Sequence, residues 1–526
     1  MTTSPPGVAS DKLDRQVFIV AGVVVLGAIM SILDVTVVAV AQNTFIETFN
    51  TSTAGAAWSM TGYTLALAAV IPTASWAASR FGTKRVYMAS LVLFLIGSVL
   101  CALAWNIGSL VAFRVIQGFG GGLLMPIGMM IMTRAAGPER VGSVMAVLGI
   151  PMLLGPIMGP ILGGWLIEIA SWHWVFLINV PIGIISLVYA FFALPGGDEE
   201  PGKKIDVLGL LMLSPGLALF LFGVSSSAEE QTFNAPRVYI PMIIGAILIA
   251  SFITHALRSS NPLIDLRLFR NPTLRTAVIT MSLFAIAFFG ASLLYPQYFI
   301  GVRGETTLTA GLLLAPQGIG AMLTMPIAGK MTDKIGPGKF VLGGLVLIAI
   351  GVSAFITLGT DTSYWFLCGA LFVQGLGMGM TMMPIMSASL ATLRGHEIAD
   401  GSTLMNAIQQ TASSIGTAVI TVIFTTSLSP LTRAFMQAGQ DQDKGLEVMK
   451  DQGLITATTT PDQIPAIAAQ AKGTVAADMA STFGNTFIVA TVLVVLTLVP
   501  AFFLPRKKMV LGGGADEETQ TPVVMH

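Results

Sequence analysis

Charge is scarce in this sequence. Lysine, arginine, aspartate and glutamate make up 10% of its 526 residues, with 27 basic side chains against 27 acidic ones. A soluble domain carries about a quarter charged residues, so this chain has too little polar surface to face water on every side. The even balance leaves no basic excess for a nucleic-acid backbone. Cysteine is nearly absent. Cys101 and Cys368 are the only two and both sit in apolar runs, which gives no basis for a disulfide framework. The four histidines, at 173, 255, 396 and 526, are scattered. No metal-ligand spacing and no activated nucleophile emerge, so neither a metal nor an organic cofactor nor enzyme chemistry is expected. The opening "MTTSPPGVASDKLDRQ" reads as a polar tail rather than a signal peptide.

Apolar length is abundant. Hydrophobic residues form 54% of the chain and mean hydropathy is +0.80. Runs near 20 residues recur, long enough to cross a hydrocarbon core about 30 Å thick. The ten-residue alternation of a membrane β-barrel is missing. The sequence therefore predicts an all-α polytopic membrane protein. Fourteen spans are expected, at 17–41, 57–78, 86–105, 108–133, 141–166, 174–194, 207–224, 238–257, 276–301, 309–329, 340–359, 365–389, 401–427 and 483–505. An even count puts both termini on one side, and the positive-inside rule makes that side cytoplasmic. Loops on it carry Arg80, Lys84, Arg85, Arg134, Arg140, Arg258, Arg267, Arg270, Lys330, Lys334 and Lys339. The opposite loops hold Arg237 and Arg303, plus Arg433, Lys444, Lys450 and Lys472 in one long loop. The expected setting is the cell membrane.

Two stretches recur at long separation. "RVIQGFGGGLLMP" (114–126) matches "LFVQGLGMGMTMMP" (371–384), with Gln117 and Gly118 falling on Gln374 and Gly375 at an offset of 257. "SRFGTKR" (79–85) matches "DKIGPGK" (333–339), with Gly82 on Gly336 and Pro72 on Pro326 at an offset of 254. Spans 1–6 and 9–14 thus read as two copies, a common transporter architecture. The expected organisation is a six-helix bundle over 1–195, two inserted helices with linkers over 196–275, and a second bundle over 276–526 with an outer loop at 428–482.

"LGIPMLLGPIMGPILGGWL" (148–166) places Gly155, Gly159 and Gly163 on one helix face, with Pro156 and Pro160 between them. Such a face lets another helix approach closely, and the prolines permit bending. Tight packing alone and a bendable seam both fit. The stretch resembles the antiporter signature of the major facilitator superfamily. "LDVTVVAVA" (33–41), "LVAFRVIQGFGGG" (110–122) and "SWHWVFLINVPIG" (171–183) extend the resemblance to its fourteen-span drug:proton antiporters of the EmrB/QacA type. The resemblance implies a major facilitator fold, export of drugs and other small amphiphiles, and drive from a proton gradient. It marks Arg80, Gly82, Arg85, Asp333 and Gly336 as conformational residues, although Arg80, Lys84 and Arg85 fit a role in holding topology alone as well. It also exposes a departure. "SWAASRFGTKR" has Ser75 and Ser79 where the family has glycine and aspartate, while "AGKMTDKIGPGK" keeps Gly329 and Asp333. A weaker latch between helix ends is the expectation.

Asp34 and Arg114 are the two charges deep within spans. An ionisable group there costs about 2.5–3.5 kcal/mol on insertion scales and usually serves function. A permanent ion pair between spans 1 and 4 is one reading. A proton site is the other. Burial disfavours a charged carboxyl and a neighbouring cation favours it, so movement of Arg114 relative to Asp34 would alternate proton affinity. The resemblance places proton coupling on Asp34. Substrate contacts are expected from Trp58, Tyr63, Tyr295, Gln297, Tyr298 and Gln317, and from Asn406 and Gln410 on a polar stripe of span 13. Membrane lipid, protons and a small amphiphile are the expected partners; the sequence names no adaptor protein. An endogenous lipid, siderophore or metabolite fits as cargo too.

Overall fold

The computed structural model describes residues 15–137, 140–196, 204–394, 397–438, 442–455 and 460–507, and among them every regular element is helical. Twelve helices among the described residues are long and apolar enough to cross a membrane. They are span 1 (Arg15–Val40), span 3 (Thr83–Ala102), span 4 (Ile107–Ala136), span 6 (Trp174–Ala193), span 7 (Val207–Glu230) and span 8 (Pro236–Arg258). The others are span 9 (Pro272–Gly301), span 10 (Leu308–Ile335), span 11 (Gly338–Thr357), span 12 (Tyr364–Leu390), span 13 (Ile398–Ser427) and span 14 (Ile464–Ala501). The expected spans 2 and 5 are helical as well. Span 5 is one helix, Val141–Ile169. Span 2 is split into Thr53–Val70 and Ala74–Phe81 by a 3-10 turn at Ile71–Thr73. Pro72 lies in that turn and lacks the N–H an unbroken helix requires. Pro326, its counterpart in the repeat, sits inside the continuous helix Ala315–Ile335.

Three stretches depart from expectation. Span 14 begins at Ile464 instead of 483 and runs for 38 residues. Its first part, "IPAIAAQAKGTVAADMAS", is rich in alanine, the best helix former, and Pro465 stands in the first turn, where proline fits. The long loop expected at 428–482 contains two short helices, Pro430–Ala438 and Gln442–Asp451. A short helix, Gln42–Phe49, follows span 1. Its Phe45 is fully buried, edge-on to Trp172 and stacked with Phe176.

The repeat is visible in atomic detail. Gly82 and Gly336 end spans 2 and 10 with φ of 83° and 88°, a left-handed conformation that glycine adopts without strain. Gly118 on span 4 abuts the Tyr63 carbonyl, and Gly375 on span 12 abuts the Gln317 carbonyl. Spans 7 and 8 pack on each other, and span 7 also lies against spans 2 and 13. Leu213, Leu217, Phe252, Leu263 and Ile264 of the inserted region cluster with Leu404 of span 13, and Trp76 of span 2 packs against them. The last turns of spans 2 and 10 meet the starts of spans 13 and 5 at one end of the molecule, where Gly336 also touches Lys507. We call this end the basic face.

Candidate functional site

Span 1 is apolar along its length and buries Asp34 in its last third, 1% exposed. Span 4 delivers Arg114, which is fully buried. Arg114 Nη1 donates to Asp34 Oδ2 at 2.5 Å. Two amides complete the cage. Gln117 Nε2 donates to Asp34 Oδ1 at 2.7 Å, and Asn179 Nδ2 donates to the same oxygen at 3.0 Å. Ser98 Oγ accepts from both amides, at 2.7 and 3.2 Å. Spans 4 and 6 therefore converge on the carboxylate of span 1, and span 3 holds the two amides through Ser98. Every side chain reaching it is a donor, the pattern an ionised acceptor-only group demands.

Arg114 has further partners. Its Nε donates to the Ser59 carbonyl at 3.1 Å, and Nη1 also donates to Gln117 Oε1 at 2.6 Å. The guanidinium lies over the Tyr63 ring at 4.2 Å and the Phe176 ring at 5.8 Å. Five N–H donors on a planar fork explain how one residue serves several acceptors at once.

The structure brings Asp34, Arg114 and Tyr63 together and scatters the other expected contacts. Tyr63, 1% exposed, bonds Ser31 at 3.3 Å and covers the ion pair, so it belongs to the acid's cage and does not line an open cavity. Tyr295 is buried in the second half between Phe355 and Phe487. Tyr298 donates to the Gly359 carbonyl at 2.7 Å. Both rings are buried in the interior of the second bundle, because a ring on a helix packed from several sides finds apolar neighbours first. Trp58 is half-buried and stacks on Phe222 of the inserted pair at 5.6 Å. Gln297 is exposed; Gln317 and Gln410 are half-buried. Asn406 bridges the halves, donating to Met129 Sδ at 3.0 Å.

The conformational residues divide as well. Gly155, Gly159 and Gly163 press against Ile32, Thr36 and Val37 of span 1, flanking Asp34 in sequence, and Thr36 donates to the Gly155 carbonyl at 3.1 Å. The side chains of Pro156 and Pro160 lie outside the described residues, as do His396 and His526. Asp333 crosses to the start of span 5, accepting from the Gly142 and Ser143 N–H groups at 2.8 and 2.9 Å. Arg80 and Arg85 are exposed at the basic face.

Sequence reasoning singled out the two charges but assigned no role to Gln117, Asn179 or Ser98. Their signal was polarity inside apolar spans. The second half offers no equivalent charge: Leu371 stands at the Arg114 position, and the Gln374 amide is fully buried with no hydrogen-bond partner among the described residues.

A family model described as Major Facilitator Superfamily matches residues 24–417. The chain is 46% identical over 506 residues to a "Multidrug resistance protein B homolog" of Mycobacterium tuberculosis, covering 95% of this chain and 92% of that one. It is 29% identical over 406 residues to the "Multidrug export protein EmrB" of Escherichia coli, covering 76% and 78%. Among solved structures, the proton:xylose symporter XylE superposes with a TM-score of 0.55 at 16% identity over 93% of this chain and 97% of that one, a likeness of fold.

Proposed function

This chain belongs to the major facilitator superfamily, and on that footing we propose that it exports amphiphilic compounds, drugs among them, in exchange for protons, with Asp34 as the proton site. The family consists of membrane transporters, not enzymes. Two relatives are named for multidrug resistance and export, which supports the cargo class. The basic face is the cytoplasmic one in this reading, the setting is the cell membrane, and the proton gradient takes the place of any cofactor.

The observation that carries the proposal is the cage around Asp34. Loss of a partner from a buried pair normally strands a charge, at about 3–5 kcal/mol. Here Arg114 already holds Gln117 Oε1, the Ser59 carbonyl and the Tyr63 face. A proton landing on Asp34 would leave the guanidinium supported. Gln117 stands between the two, donating to one and accepting from the other. In this conformation Asp34 is sealed from water. Proton exchange then belongs to a second conformation in which the helices around it part, which is the requirement for coupling by alternating access.

The test is made in everted vesicles with an acidified lumen. Addition of a lipophilic cation such as ethidium should dissipate part of the gradient with the parent protein. Asp34→Asn should abolish that response while still binding ethidium. A substituted protein that dissipates the gradient as the parent does would remove Asp34 from the coupling step.

A further inference from the structure

At the basic face, two seams between the repeat halves are each closed by an aspartate and a serine, and the two residues have exchanged helices. The seam of spans 5 and 10 is held by Asp333, near the end of span 10. Its carboxylate accepts from the Gly142 and Ser143 N–H groups and from Ser143 Oγ, the last at 2.6 Å. An anion at a helix N-terminus satisfies donors that the helix itself cannot. One turn earlier, Gly329 lies backbone to backbone against Gly142.

The repeat offsets carry this seam onto that of spans 2 and 13. Asp333 becomes Ser79, Gly329 becomes Ser75 and Ser143 becomes Asp400. The acid is missing from the end of span 2, yet an acid stands across the seam. Asp400, in the first turn of span 13, accepts a hydrogen bond from Ser75 Oγ. Ser75 is fully buried there. The inserted region covers this same place. Leu263, Ile264 and Phe252 cluster with Leu404, one turn beyond Asp400, and with Trp76, the neighbour of Ser75.

We propose that Ser75 and Asp400 are positioning residues for transport. They hold the span 2–span 13 seam shut in place of the acid absent at Ser79, and the inserted pair covers the buried Ser75 side of that contact, Asp400 itself being half-buried. The proposal rests on alternating access at the basic face but not on the identity of the proton site. The inserted helices thereby acquire a role. They cover one side of the seam, where a hydrogen bond to a carboxylate is stronger than in open water.

The test reads opening directly. Cys101 and Cys368 are replaced by serine and a reporter is introduced as Thr403→Cys, a fully buried position on span 13. Its rate of modification by a membrane-impermeant maleimide is followed from the basic face, with neither substrate nor gradient. Ser75→Ala and Asp400→Ala should each raise the rate about tenfold, as expected for loss of a charge-assisted hydrogen bond. The exchange Ser75→Asp with Asp400→Ser should return it to the parent value. Parent-like rates in both single variants, or an exchange variant as open as they are, would overturn the proposal. Should the exchange variant fail to purify as a monodisperse species, Ser75→Thr, which keeps the hydroxyl, is decisive: it should label as the parent does, and labelling equal to Ser75→Ala would sink the idea. Asp333→Ala separates the exchanged latch from the closed face itself. If it opens the face while Asp400→Ala does not, the exchanged latch falls and alternating access stands. If neither opens it, the closed-face premise fails with it.

Discussion

Three donors on one carboxylate make Asp34 a residue whose neighbours can be removed one at a time. Asp34→Asn neutralises the acid while Gln117 Oε1, the Ser59 carbonyl and the Tyr63 face still hold the Arg114 guanidinium, so a loss smaller than the about 3–5 kcal/mol of a stranded charge is expected, visible as a lower melting temperature in detergent. The double change Asp34→Asn, Arg114→Gln should recover most of that stability. It should not recover gradient-driven export if Asp34 carries the proton; recovery of both would reduce the pair to a structural tie. Gln117→Leu removes a donor from Asp34 and an acceptor from Arg114. Export should fall by at least about tenfold in the vesicle assay, with the fold retained. The charges were legible in the sequence because nothing else deep within their spans is ionised. The amides were not, because a neutral side chain announces polarity without announcing a partner. Tyr63 illustrates a related point: an aromatic ring near a cavity and one roofing a cation look alike in a sequence, and the 4.2 Å approach to Arg114 shows the second arrangement here.

Helices in this molecule approach each other through glycines, and hydrocarbon gives no hydrophobic push to drive them together otherwise. Gly375 meets the Gln317 carbonyl so closely that an added methyl would collide with backbone. Gly375→Ala should therefore force spans 10 and 12 apart and cost about 1–3 kcal/mol, measured as thermal aggregation. Gly159→Ala meets Thr36 on span 1. A shift there would be transmitted to Asp34, so export should suffer more than stability does. Periodicity and run length located most of the helices to within a few residues. They failed where a helix leaves the apolar core. The start of span 14 is held by alanine propensity, and a hydropathy pattern is blind to that. The glycine face of span 5 was legible as a packing surface, but its partner, span 1, was not: small residues show that something comes near and leave open what does.

At the scale of the whole chain, the repeat offsets were readable from a handful of residues and reappear as matched close contacts at Gly118 and Gly375. The seating of the inserted pair was not readable, since its apolar faces are as compatible with lipid as with protein. Its contact with both spans 2 and 13 makes it a bridge between repeat copies. Phe222→Ala removes the stack on Trp58, worth about 0.5–1.5 kcal/mol beyond buried area. A modestly lower melting temperature with an unchanged ethidium KM is expected; a raised KM would return Trp58 to the substrate site.

The 38-residue final helix has one more implication. At 1.5 Å per residue it is about 57 Å long, against a hydrocarbon core of about 30 Å. A good part of it stands clear of the bilayer as a stiff mast rooted in the second half. Any tilt of its root is magnified toward the tip, around Ile464. A spectroscopic label or antibody fragment clamped there would act as the needle of a gauge, registering each swing of the transport cycle without touching the membrane-embedded machinery.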